Sequence, residues 1–355
     1  MPSAKARYSS RRKTMLPHDI LAILWYVVLA VAWCAYLVQE SFIVGSGMLQ
    51  RIGHGPAKQR SIQISGGLHY DGIEVWLITA VGGTFAAFPP VFAMILESLY
   101  VPFFLLIAAL IVRVVSIEMM YKDESSAWRK AMSIAWGISS LLIPLVLGVY
   151  FANVFRGLAI DQGGYHGFIL ELFDVIGLAG GVFFTANSLV TGWCWIRFTT
   201  IPEDAGETAS TAIPTIASIA QSLALIVLFL GLNNKSALFA SGLFAKAPAL
   251  WAVPVLAVLS SGATVLASRS GKTTLQFTGG IATMLLAMAS LFAAAFPKMV
   301  VSSIDPSFGI DVMAGASSRL TLSIMTYVAA VFLPIVLLYQ AWKYVRFSKD
   351  KNGEA

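Results

Sequence analysis

Long runs of apolar residues, each nearly free of charge, recur along the chain at roughly 18–40, 74–96, 99–121, 131–153, 168–197, 209–232, 248–268, 273–296 and 318–346. A helix rises about 1.5 Å per residue, and about 20 apolar residues cross about 30 Å of hydrocarbon. Each run therefore predicts a membrane-spanning helix, nine in all. Only Glu97 and Ser98 separate the second run from the third, which predicts a tight hairpin. Pro89-Pro90 interrupts the second run, and the missing N–H groups predict a kink there in mid-membrane. The longest connections are roughly 41–73, 297–317, 154–167 and 233–247, too short for a soluble catalytic domain. The expected organisation is a basic, disordered tail at 1–17, an all-α polytopic bundle over 18–346 and a polar tail at 347–355.

Composition agrees with this pattern. The chain is 57% hydrophobic and 12% charged, about half the charge of an ordinary soluble domain. A water-facing surface could not be clothed with so few charges, whereas lipid-facing helices need none. Cys34 and Cys194 fall inside predicted spans without metal-ligand spacing and are expected to pack as small core residues. The first apolar run is too long for the core of a cleaved signal and lacks a small-residue cleavage site.

The net charge of +6 includes Lys5, Arg7, Arg11, Arg12 and Lys13 in the N-terminal tail. A nucleic-acid-binding arm is one reading of such a tail. The preferred reading is a segment without function, and no nucleic-acid partner is expected. Arg51, Lys58, Arg60, Lys122, Arg129, Lys130, Arg197, Arg269, Lys272 and the C-terminal lysines share one face, while Arg156, Lys235, Lys246, Lys298 and Arg319 share the other. Leaving the tail aside, this imbalance puts the C-terminus in the cytoplasm.

Charged residues inside the spans are costly and so informative. Arg113 lies well inside VPFFLLIAALIVRVVSIEMM. Glu118, five residues on, is about 140° round the helix. It can reach Lys122 but not Arg113, whose partner must lie on another helix. Arg113 has three readings: a buried structural pair, snorkelling to the interface, or a direct functional role. In LHYDGIEVW, His69, Asp71 and Glu74 crowd the mouth of the second span. Asp71 and Glu74 suit an N-terminal cap and the positive end of the helix dipole. The functional alternative is a proton entrance that hands protons inward. Glu40 is read as ending the first span. Glu171 and Asp174 are read as lying early in the fifth, each able to cap or pair.

The only histidines are His18, His54, His69 and His166, all in loops or at span ends. A haem between helices takes ligands from inside the bundle, so this chain alone is not expected to hold one. No phosphate-binding loop, dinucleotide fingerprint, metal pair or nucleophile elbow is present in the sequence.

The run HYDGIEVWLITAVGGTFAAFPPVFAMILESLYVPFFLLIAALIVR resembles the signature of cytochrome bd oxidase subunit II. The likeness extends through Trp128-Arg129 and PLVLGVYFANVFRG and returns in SSRLTLSIMTYVAAVFLPIVLLYQAWKYV. It implies nine helices, arranged as two four-helix bundles plus one peripheral helix. It also implies a haem-free chain in the bacterial cytoplasmic membrane, paired with a similarly folded subunit I that carries the b-type and d-type haems. Such a complex oxidises quinol, here ubiquinol, and reduces dioxygen to water, separating charge without pumping. Small single-helix accessory subunits, lipid and a structural quinone are further partners of that kind of assembly. Subunit II would support assembly and contribute to a proton path, with Asp71 at the position of the family's helix-entrance aspartate and His69 and Glu74 beside it. Arg113, Glu118 and Glu40 are read as structural intramembrane charges.

One departure stands out. The family commonly reads acid-Gly-Phe-Asp where this chain has Glu40-Ser41-Phe42-Ile43. The second acid is absent or moved, a divergence that fits the cyanide-insensitive branch. The competing readings are a secondary transporter, supported by the Pro89-Pro90 break, and a membrane scaffold without chemistry.

Overall fold

The computed structural model describes residues 16–51, 62, 72–199, 212–236, 238–240 and 242–350. The sequence readings for His54, His69, Tyr70, Asp71 and most of the basic tail lie outside the described residues. The long helices are α1 (His18–Leu49), α2 (Glu74–Ala87), α3 (Pro89–Ser98), α4 (Tyr100–Met119), α5 (Ser126–Arg156), α6 (Val175–Thr199), α7 (Ala212–Ser236), α8 (Ala252–Arg269), α9 (Thr273–Ala295) and α10 (Arg319–Asp350). Among the described residues, eight helices are long and apolar enough to cross a membrane, or nine when the bent pair α2–α3 is counted as one span.

Helices α6, α7, α8 and α9 each pack on the next, and α9 closes back on α6. Helices α1, α2, α4 and α5 form the other group, joined to the first mainly where α1 and α5 pack on α6. Helix α10 rests on α1, and only 11% of its apolar window is buried. The result is two four-helix groups and one peripheral helix.

Three expectations need correction. Glu40 does not end the first span, because α1 continues to Leu49 through ESFIVGSGML. That small-residue run is a packing surface. A Cβ on Gly45 would sit 1.8 Å from the Ser188 carbonyl oxygen, and one on Gly192 would sit 2.4 Å from the Gly45 Cα. The α1 and α6 backbones touch there, as small residues allow in membranes. Gly148 and Gly180 do the same for α5 and α6.

The second span is not one kinked helix. It stops at Phe88 and turns by 117° into α3. Pro90 has no N–H for the Ala86 carbonyl, so that carbonyl accepts from the Ser317 hydroxyl at 2.7 Å. The adjacent Ala87 carbonyl accepts from the Ser317 backbone N–H at 2.8 Å. The hairpin to the third span turns at Leu99, between α3 and α4.

The fifth span starts at Val175 rather than 168, after a 3-10 turn at Ile169–Phe173. Asp174 precedes the helix and accepts from the N–H groups of Ile176 and Gly177. It also pairs with Arg156 at 2.6 Å.

One end of the bundle carries a small cap. Strands β1 (Ile160–Asp161) and β2 (Gly164–Tyr165) form one antiparallel hairpin; β3 (Lys298–Val300) and β4 (Ile310–Asp311) form another. A bridge from Leu158 to Ser302 joins them, and α3 packs against both. In this cap, the Gly163 N–H and His166 hold the Asp161 carboxylate below its ordinary range.

Candidate functional site

Arg113 lies about two turns before the end of α4, fully buried among apolar neighbours. A guanidinium cannot shed its charge there, so the fold must bring carboxylates to it. It brings two. Glu40 of α1 contacts the Arg113 Nη1 directly, with side-chain exposure of 3% and 0%. Glu74, the first residue of α2, lies 3.3 Å from Nη2 and is 33% exposed. Three helices therefore converge on one charged centre. It lies toward the end of the bundle where α1 and α4 finish and α2 begins, opposite the cap.

Among the described residues, two polar groups of this centre have no protein partner. They are the Glu40 Oε2 and the Arg113 Nε, both buried. Tyr36, one turn before Glu40, is buried with its hydroxyl also unpartnered.

The sequence-derived candidates separate here. Glu40, Glu74 and Arg113 meet in one cluster. Glu118 sits on an exposed face near the end of α4. Asp71 and His69 lie outside the described residues, within five positions of Glu74 in the chain. Tyr36 was not singled out from the sequence; its spacing of four from Glu40 places both on one face of α1.

A polar belt crosses the neighbouring group. The Thr191 hydroxyl donates to that of Ser41 at 3.1 Å, linking α6 to α1. Gln221 donates to Asn187 at 3.0 Å, linking α7 to α6, and Gln276 donates to Ser218 at 3.3 Å, linking α9 to α7. Among the described residues, no cluster of three His, Cys, Asp or Glu side chains could hold a metal ion.

An apolar cavity lies between α1, α2, α3, α4, α5 and α9. Tyr26, Trp33, Phe92, Phe103, Tyr150 and Phe292 line it, with Lys298 at its cap side.

Residues 21–347 match the family of cytochrome bd terminal oxidase subunit II. The chain is 30% identical to the cytochrome bd-I ubiquinol oxidase subunit 2 of Escherichia coli, across 93% of this chain and 95% of that one. It is also 30% identical to the cytochrome bd ubiquinol oxidase subunit 2 of Bacillus subtilis, across 92% and 95%. The fold superposes on a chain of the bd oxidase from Geobacillus thermodenitrificans with a TM-score of 0.69 at 17% identity, covering 92% of this chain and 99% of that one. With a matching helical architecture and an intramembrane charge centre already in place, the chain belongs to the cytochrome bd terminal oxidase subunit II family.

Proposed function

We propose that this chain is the haem-free subunit of a quinol:dioxygen oxidoreductase, that it supports assembly of the haem-bearing subunit I, and that it contributes a proton path for dioxygen reduction. Membership of the family makes it a respiratory oxidase subunit, and a second subunit implies a first. The observation that carries the proton-path reading is the Arg113–Glu40–Glu74 centre, where α2 begins and where unspent polar atoms remain.

In this reading Asp71 and His69 form the entrance and Glu74 receives the proton at the head of α2. Cytoplasmic placement of the C-terminus, argued from the loop cations, puts that entrance on the cytoplasmic side. Glu118 remains a charge near the membrane boundary. The haems belong to the partner. The quinol is the substrate of the complex, named as ubiquinol in the E. coli relative. The aromatic cavity between α1, α2, α3, α4, α5 and α9 has the apolar lining that an isoprenoid quinone or a lipid chain needs. Small single-helix subunits would find room on exposed apolar faces such as that of α10.

Two measurements test this. Asp71→Asn should slow quinol oxidase turnover more than it lowers the haem content of the purified complex. Equal turnover, or a loss that only follows haem content, returns Asp71 to the role of a cap. The chain purified alone should show no haem absorbance, and haem bound to it would sink the assignment.

A further inference from the structure

Glu40 and Glu74 share one guanidinium, yet their surroundings differ. Glu40 is enclosed and in the closest contact with Arg113. Glu74 is one-third exposed, at the first position of its helix, on the outer nitrogen of the same guanidinium. One arginine balances one carboxylate. A second full negative charge within the bundle is costly, and of the two acids only Glu74 is exposed enough to exchange a proton.

We propose that Glu74 is the proton-loading group of this centre, and that Arg113 and Glu40 are the fixed ion pair that holds it in place. The inference rests on the proton-path reading and assigns the parts within it. A proton arriving from the entrance side converts the Glu74 carboxylate to the acid. The same proton leaves for the next acceptor, and the carboxylate returns. No other bond changes. A Glu74 oxygen accepts from the Arg113 Nη2 in both states, so loading requires no movement of α2 against α4. The charged and titratable groups at the centre are Tyr36 and Glu40 from α1 and Arg113 from α4, among the described residues. The Glu40 Oε2 and the Tyr36 hydroxyl are buried and have no partner among the described residues. They offer an acceptor and a donor beyond the ion pair.

The test uses the intact oxidase complex with Glu74→Gln, Glu74→Asp and Asp71→Asn, each scored for haem content, quinol-driven oxygen consumption and reaction-induced infrared difference spectra. Glu74→Gln should keep native haem content, lower turnover about tenfold or more and remove one protonated-carboxyl band. Glu74→Asp should restore most of the turnover and return the band at a shifted position. Three results overturn the assignment. Turnover lost only in proportion to haem makes Glu74 a structural partner. Normal turnover in Glu74→Gln with slow turnover in Asp71→Asn leaves the path standing but removes Glu74 from it. Normal turnover in both variants removes the path as well.

Discussion

Replacing Arg113 with methionine deletes the guanidinium that contacts both Glu40 and Glu74. Glu74 is 33% exposed and can turn to water, but the Glu40 side chain is 3% exposed and cannot. Breaking a buried pair from one side costs about 3–5 kcal/mol, because the remaining charge is buried without compensation. At about 1.4 kcal/mol per factor of ten, that lowers the equilibrium constant for the native state roughly a hundredfold to several-thousandfold. Removing both charges is different: apolar side chains of similar volume in place of a buried pair are often neutral or stabilising. Arg113→Met should therefore lower the thermal midpoint and the haem content of the purified complex, and Glu40→Leu with Arg113→Met should restore most of both. Turnover should stay low in the double variant, because Glu74 has lost the group that holds it. The cycle is completed by Glu40→Leu alone. Near-native stability of Arg113→Met, or a double variant as unstable as the sum of the singles, would refute this account of the pair.

Ser317→Ala should cost about 1 kcal/mol, seen as a lower thermal midpoint, since it strips the side-chain partner from the part-buried Ala86 carbonyl at the proline break. Gly45→Val should abolish recovery of the haem-bearing complex, because its side chain would overlap the Ser188 carbonyl; Gly82→Ala, with nothing within 4 Å, should be recovered normally. Asn187→Leu should lower the thermal midpoint by stranding Gln221, and Asn187→Leu with Gln221→Leu should recover part of it. In the cap, Asp161 is depressed by the Gly163 N–H and by His166, so its stabilising effect is present above the ordinary carboxylate range and fades as pH falls through the lowered value. His166→Ala should move that fading to higher pH, read as the onset of protease cleavage in the 157–174 segment.

The spans were legible because length and apolarity are local properties, and both survive into the fold. The errors fall where the meaning of a residue depends on a distant partner. ESFIVGSG reads as the end of a helix by the rules for soluble proteins, where glycine and serine punctuate. In the bundle the same residues let α1 approach α6, and the partner glycine is Gly192. Pro89-Pro90 announced a distortion but not its size, since the group that satisfies the freed carbonyl lies 231 positions away. Helix geometry alone points Arg113 to a partner on another helix, a carboxylate or a carbonyl, if it is buried. Which group it is does not follow, because in the sequence Glu40 reads as the end of a span and Glu74 as a cap. Tyr36 carried one faint signal, its spacing of four from Glu40.

The broken second span also bears on the transporter reading. In a transporter, a broken helix exposes unpaired carbonyls and half-helix ends to the substrate near the middle of the membrane. Here two carbonyls at the break, those of Ala86 and Ala87, are taken by Ser317, which leads into α10. The joint lies against the cap, where α3 meets β2 and β3. Hydrogen bonds from Ser317 tie it to the segment that leads into α10. The unspent polar atoms lie at the opposite end of α2, on the Arg113–Glu40 pair that Glu74 joins. Helix α2 is therefore anchored at its cap end by a serine from a distant segment, and it presents an ionisable group at its other end. That arrangement suits a fixed proton entrance and does not suit a helix that must rock to carry a solute. Freeing the break with Ser317→Ala should accordingly lower stability without creating ion or solute uptake in vesicles that contain the complex.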